Sequence, residues 1–335
     1  MRRLLLLAVA LAVVPPLGAC GGSDSLVMVN GARIDNAVVD GDPVALLPGG
    51  VIALGYLDAA ALFRAPVGAE VASLVQSLLP LGAESGFVLQ RDVTHIWGGA
   101  YSMQGADACA VVQGTFDPDA IRRAAEAGAV TATGAPLVKS SYAGNDLYTA
   151  GNVGFVVVTP HTVLAGNETG IRRALDRLRG TKLERAVPAW MVEITSTKNA
   201  SMALAADLSD QTPAGPLSTV LGGLRHARVL GNFDAPGLNL AGALTYADHD
   251  AAEHVAGLLH GMTGMLVMAS LASSLGKVPL PKIQTSAQVN DVAFTVAIDD
   301  ATMGPLLKLV AGAAASRKAA PKAGPAAATP AAPAR

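Results

Sequence analysis

Apolar and polar positions in this chain alternate between a two-residue and a three-to-four-residue period, and each change of period marks an element. Val51-Ile52-Ala53-Leu54-Gly55-Tyr56-Leu57 is an apolar run of strand type, with Asp58 placed to cap a short helical turn. Val71, Leu74, Val75, Leu78 and Leu79 recur at helical spacing within 67–79 and predict a helix with one apolar face. Residues 93–103 and 108–116 read as paired strands joined by Gln104-Gly105-Ala106-Asp107. Asp117 then stands as an N-cap with Pro118 at the first helical position, ahead of a helix over 120–127. Strands follow over 146–150, 155–159 and 162–165, with Pro160-His161 in the last turn. Asn167 caps a helix that runs to Leu178 and stops at Gly180.

The second half repeats this order. Strands are predicted over 202–208, 227–233 and 238–246, and Asp248 caps a helix over about 250–275. A hairpin of 283–289 and 292–298 turns at Asn290-Asp291, and Asp299 or Asp300 opens a last helix to about Ala313. Gly114-Thr115-Phe116-Asp117-Pro118-Asp119 is echoed by Gly231-Asn232-Phe233-Asp234-Ala235-Pro236. The expected fold is therefore α+β, with two similar modules over 45–185 and 186–313. Each is expected to be an antiparallel sheet with helices packed on one face.

The start of the chain follows a different pattern. Arg2 and Arg3 precede an unbroken apolar run from Leu4 to Val14, then Pro15-Pro16 and Leu17-Gly18-Ala19-Cys20. A basic n-region, an apolar h-region and a small-residue cleavage site are the ordered parts of an export signal. The run is too short to span a bilayer, which takes about 20 residues. The small residues ending in Cys20 resemble the lipobox of bacterial lipoproteins. That resemblance implies removal of 1–19, lipidation of Cys20 and residence in the cell envelope. Gly21 rather than Asp after the cysteine implies the outer membrane over the inner one, by the enterobacterial pattern. The alternative is an ordinary secretory signal with a cysteine near the cut. Residues 20–44, rich in Gly, Ser, Asp and Asn, read as a flexible tether, and the Ala/Pro-rich 314–335 reads as a disordered tail.

The stretch from Phe155 to Gly180, FVVVTPHTVLAGNETGIRRALDRLRG, resembles a pattern in uncharacterised exported bacterial α+β proteins. The pattern is one of packing and implies no activity.

Composition narrows the function classes. Charged residues are 15% of the chain and the net charge is −2, so no basic field draws in nucleic acid. The mean hydropathy is +0.41 with only 4% aromatics, so the core is built of small aliphatic side chains. Trp97 and Trp190 are the only tryptophans, too few for a sugar cleft of stacked rings. The only cysteines are Cys20 and Cys109; with Cys20 acylated, Cys109 has no partner and reads as a buried small hydrophobe.

Candidate chemistry is thin. His249, His254 and His260 are spaced by five and six, which does not put them on one helical face, so no metal site is assigned. Ser274-Leu275-Gly276-Lys277 matches Ser-x-x-Lys of penicillin-binding enzymes, but at the end of a helix and without a Lys-Thr-Gly strand. Asp40-Gly41-Asp42 and Asp117-Pro118-Asp119 lack the other ligands of a calcium loop. Gly257 and Gly261 have the spacing of a close helix contact. No cofactor, metal or catalytic residue is assigned. The expectation is a lipid-anchored envelope protein with a non-enzymatic binding or scaffolding role, its partners being the membrane and an envelope protein or apolar ligand. A periplasmic carrier of lipid or another apolar ligand and an uncharacterised hydrolase are the alternatives.

Overall fold

The structure, a computed structural model, describes residues 26–29, 32–76, 85–103, 107–127, 136–180, 182–212, 221–272 and 282–304. Strands β1 (Leu26–Val29) and β2 (Ala32–Asp35) form a separate antiparallel ribbon. Twelve more form one sheet. In chain order they are β3 (Ala53–Asp58), β4 (Val93–Ala100), β5 (Ala108–Gly114), β6 (Val138–Tyr142), β7 (Asn145–Ala150), β8 (Val153–Thr159), β9 (Thr162–Gly166), β10 (Met202–Asp207), β11 (Leu224–Asn232), β12 (Gly237–Tyr246), β13 (Lys282–Gln288) and β14 (Asp291–Asp299). Their order across the sheet is β13-β14-β12-β11-β10-β3-β4-β5-β9-β8-β7-β6, antiparallel throughout.

The two modules share one topology. In each, a three-strand meander is followed by a helix, then by a hairpin whose second strand returns beside the third strand of the meander. Strands β3, β4, β5, β8 and β9 thus correspond to β10, β11, β12, β13 and β14; the β6–β7 hairpin is an addition to the first module. The modules join through their first strands, with Leu54 opposite Ala205. Reciprocal bonds close the two ends of this pair. The Asp58 N–H donates to Ser201 O at 2.7 Å, and the Asp207 N–H donates to Ile52 O at 2.8 Å. Asp58 and Asp207 hold equivalent places, so the junction has local two-fold character. The two modules therefore share a single continuous sheet.

Several helices begin where a short polar side chain takes up free N–H groups. They are α1 (Asn36–Gly41), capped by Asp35; α2 (Ala59–Arg64), capped by Asp58; α3 (Gly68–Gln76); and α4 (Leu89–Asp92). Next come α5 (Pro118–Glu126), capped by Asp117, α6 (Glu168–Arg177), capped by Asn167, α7 (Ala189–Thr195) and α8 (His249–Ala272). A 3-10 turn spans Pro43–Leu46. Among the described residues no helix is long and apolar enough to cross a membrane.

Alternation along the strands sends neighbouring side chains to opposite faces. Leu54, Val111, Leu147, Val156 and Leu164 face one side, where α1, the 3-10 turn, α6 and α7 supply Val39, Leu46, Leu47, Ile171, Leu175 and Met191. Tyr148, Phe155 and Val163 face the other, under Ala72 of α3, Leu89 of α4 and Ile121 of α5. In the second module Ala206, Ala227 and Val292 meet Ala252 and Val255 of α8 on that same side. The class is the expected one, with one addition. In the second module α8 packs on one face and α7 lies across β10 on the other, whereas the first module is covered on both faces over most of its strands.

Two expectations about segments change. The span 20–44 is not a tether throughout: Leu26–Val29 pairs with Ala32–Asp35, and α1 and the 3-10 turn begin at Asn36 and Pro43. Val39, Ala45, Leu46 and Leu47 are fully buried and Ile34 and Val44 nearly so, because the apolar residues of 34–47 fill the space between α6 and the sheet. Strand β6 and helix α7 were also not expected. The β6–β7 turn uses Ala143 and Gly144, both at positive φ, and alanine there is a weak turn signal. The tail, the Ser274–Lys277 motif and the helix beyond residue 304 lie outside the described residues.

Candidate binding groove

On the α6 side of the sheet, α7 lies across β10 and β3, and beyond it no described helix covers β11, β12, β14 and β13. The reason lies in the course of the chain. In the first module the helix after the final hairpin, α6, folds back on this face. In the second, the helix begun at residue 300 runs the other way, so that a Cβ at Gly304 would lie 3.0 Å from Glu70 of α3. The bare face is correspondingly polar and small. On β13, Lys282, Gln284, Ser286 and Gln288 are exposed while Ile283, Thr285 and Ala287 are half-buried. This is the sequence signature of a sheet wet on one side.

Two neighbouring rungs of this face form the floor of an open groove of about 490 Å3. One rung runs Leu230, Ala241, Thr295, Gln284; the next runs Asn232, Asn239, Ala297, Lys282. Four strands at about 4.8 Å spacing make the floor roughly 14 Å wide. The loop Thr197–Ala200, which follows α7, is the wall. Asn199 holds it at φ +65°, a conformation that asparagine tolerates better than most residues. The Thr197 hydroxyl reaches back toward Glu193 O at the last turn of α7.

Asn239 is the most constrained side chain of the floor. Its Nδ2 donates to Asn232 Oδ1 at 3.0 Å, to Asp234 O at 2.9 Å and to Gly237 O at 3.2 Å. These bonds fix the amide and tie the β11–β12 turn to the groove. They leave Asn239 Oδ1 as a free acceptor and Asn232 Nδ2 as a free donor among the described residues. The lining carries two ammonium groups, Lys198 and Lys282, and no carboxylate.

Other candidates from the sequence have structural work. Cys109 is 1% exposed, and burial first, then Asp107, pushes its thiol up to about 12, so it is a packed hydrophobe rather than a nucleophile. His249 Nδ1 donates to Val289 O at 2.7 Å and its ring faces Glu253 at 3.3 Å; His254 and His260 are exposed, and no group of three potential ligands gathers among the described residues. Asp40 and Asp117 bond to Thr hydroxyls and to a helix N–H respectively. Gly257 and Gly261 are exposed, with nothing within 4 Å of a Cβ built on either, so their spacing serves no close contact among the described residues. Cys20 lies outside the described residues.

A serine-type hydrolytic triad places a hydroxyl, an imidazole and a carboxylate in that order. Asp207 stands between the other two: His226 Nε2 is 3.7 Å from Asp207 Oδ1, and the Ser209 N–H donates to that same oxygen at 3.1 Å. Beside His95, the Thr94 hydroxyl is 3.1 Å from both Gln113 O and His95 Nδ1, and among the described residues no carboxylate bonds the ring. The Trp97 ring packs with Tyr56 and His95, centroids 5.3 Å and 5.7 Å away, in a half-buried cluster across β3 and β4. Trp190 of α7 sits edge-on to His226 at 5.9 Å.

Sequence reasoning did not find the groove. Its signal was the polar alternation of Lys282, Gln284, Ser286 and Gln288, which reads equally well as a plain solvent face. No protein-family model matches the chain, and no curated protein matches it. Among solved structures it is similar to the Treponema protein TP0453 in crystal form III, at TM-score 0.49 and 11% identity over 81% of this chain and 98% of that one. Forms I and IV give TM-scores of 0.47 and 0.45 at 10% and 11% identity, over 81% of this chain and 97% and 96% of theirs.

Proposed function

We propose that the chain is a lipid-anchored cell-envelope protein that binds a ligand without transforming it, and that the groove of the second module is where it binds. The observation that carries the reading is the pair of complete rungs across β11, β12, β14 and β13, open to solvent and walled by 197–200. A concave site with a few fixed polar groups and room for a small molecule is what binding without chemistry requires. The arrangement at His226, Asp207 and Ser209, with the acid in the middle, lends nothing to the hydrolase alternative. The carrier alternative rests on the apolar second half of α8, whose side chains beyond Gly261 lie outside the described residues.

The anchor reading rests on Cys20 and its leader. Cys20 precedes Leu26 by six residues, a reach of about 20 Å at full extension. A lipidated Cys20 would therefore hold the body close to the bilayer surface. Two or three acyl chains make a stable anchor where one is marginal.

One preparation tests both parts. Native mass spectrometry of the detergent-extracted protein is expected to show the acyl mass on Cys20 and a retained small molecule. Cys20→Ser is expected to release the protein from the membrane fraction. Ala241→Phe, which fills the exposed floor of the groove, is expected to empty it. An intact Met1, or a Cys20→Ser protein that still sediments with membranes, would sink the anchor. Unchanged retention in Ala241→Phe would sink the groove.

A further inference from the structure

We infer that the groove of the second module takes a phosphate ester of a small polyol, either a free sugar phosphate or the phosphoglycerol headgroup of a lipid. This rests on the groove being the binding site, and it deepens that reading by naming the ligand chemistry.

Charge is the first observation. Lys198 on the wall and Lys282 on the outer strand both line the groove, and no acid lines it. Neither lysine is in an ion pair or a hydrogen bond among the described residues. Several other cations are neutralised by acids, Lys139 by Glu126 and Asp146, Arg173 by Asp107, Arg172 by Glu168 and Arg185 by Asp42, whereas the groove places its two lysines together with no acid in its lining. Two unpaired ammonium groups on opposite sides of one concavity favour an anion between them, since each keeps its full charge for the ligand.

The kind of cation is the second. A planar carboxylate is best matched by the fork of arginine, whereas the ammonium of lysine is a point charge with three rotatable donors. A tetrahedral phosphate needs no planar partner, so a groove with two lysines and no arginine suits it better.

The third observation is the neutral lining. Asn232 offers a free amide N–H and Asn239 a free amide oxygen, on adjacent strands and locked by their shared bond. A hydroxyl group both donates and accepts, so it completes this pair where a purely accepting or purely donating group does not. Gln284 and Thr295 on the neighbouring rung extend the same chemistry. Ala241 and Ala297 keep the floor low, and a volume of about 490 Å3 accommodates a sugar phosphate or a phosphoglycerol headgroup.

Isothermal titration of the full lipidated protein in a polyoxyethylene detergent tests this. The free arm uses glucose 6-phosphate and glycerol 1-phosphate, with glucose and glycerol as neutral controls. The headgroup arm uses dihexanoyl phosphatidylglycerol, with dihexanoyl phosphatidylcholine as control. At least one phosphate ester is expected to bind at least tenfold more tightly than its control. Lys198→Gln combined with Lys282→Gln is expected to weaken it at least tenfold, while Lys182→Gln in the first module leaves it unchanged. All three lysines are exposed or on loops and edges, so the variants retain the fold, which circular dichroism verifies. Binding of the free esters alone identifies a soluble ligand; binding of phosphatidylglycerol alone identifies the headgroup. Glucose binding as tightly as its phosphate, or full affinity in the double variant, overturns the inference. Failure of every probe also overturns it. The groove itself then survives only if Ala241→Phe still empties the native protein of its retained molecule.

Discussion

The Thr162 hydroxyl donates to Asp40 Oδ1 at 2.6 Å, across 122 positions of sequence, and the Thr159 hydroxyl donates to that same oxygen at 2.6 Å. Thr162 is fully buried and Thr159 nearly so. Gln113 Nε2 adds a bond to Asp40 O at 2.6 Å. One side chain thereby fastens α1 to the β8–β9 turn and completes the buried hydroxyls beneath it. Asp40→Ala leaves two buried donors unmatched and is expected to cost about 3 kcal/mol, most of it desolvation without return. Asp40→Asn keeps an acceptor and is expected to cost less than half of that. Urea denaturation of the two variants checks the order; equal losses would mean that the bonds contribute little.

Gly114 ends β5 at the bulge opposite Val93 and Thr94. Asp92 O accepts from the Thr115 N–H at 2.8 Å, and a Cβ on Gly114 would overlap that oxygen. The obstacle is backbone, which cannot swing aside as a side chain tip does. Gly114→Ala is expected to destabilise the protein by about 3 kcal/mol or more, the upper range for overpacking. Gly98→Ala on the neighbouring strand meets nothing within 4 Å and serves as the tolerated control. The difference in thermal midpoint between the two variants measures the effect.

Cys109 is expected to resist alkylation in the folded protein. Its thiol is pushed up to about 12 by burial, so at pH 8 only a trace is thiolate, and the residue is 1% exposed. Iodoacetamide followed by mass spectrometry is expected to label it only after denaturation. Labelling of the native protein at the rate of a free thiol would contradict the packed position.

His249 links pH to the seating of α8. Its bond to Val289 O, and next the nearby Glu253, raise its pKa above the ordinary histidine value. A raised value means that the folded state favours the protonated ring. The stabilisation is complete below the unfolded-chain value, about 6.5, and is lost as pH rises through the folded one. The start of α8 is therefore expected to hold more firmly to the β13–β14 turn at pH 5.5 than at pH 8. His249→Gln is expected to remove that difference in amide exchange at 249–256. A titration of the His249 ring by NMR with a midpoint at or below the ordinary value would reverse the sign.

Much of the fold was legible because its signals are local. Asp117 with Pro118, Asn167 and Asp248 each announced a helix start, since a cap is made within three residues of the group it satisfies. The alternation of β13 and β14 announced the final hairpin, and Asn290 lies in its turn. Helix α7 was missed because Ala189–Thr195 is short, starts from Pro188 without a side-chain cap, and buries Met191 and Val192 against strands from both modules. The segment 34–44 reads as part of a tether because its apolar residues are too few and too scattered to show a period. They are buried through contacts with residues more than a hundred positions away.

The sequence by itself determined the class and most of the strands and capped helices, because periodicity and caps act over a few residues. Tertiary structure alone decided that the halves would share one sheet through Leu54 and Ala205, and that the last described helix would turn toward Glu70 rather than cover β11 to β14. Both depend on which distant surfaces meet, and the groove lies where no described helix covers the sheet. The chain signals what a residue prefers nearby; it carries no local mark of which distant element packs over it.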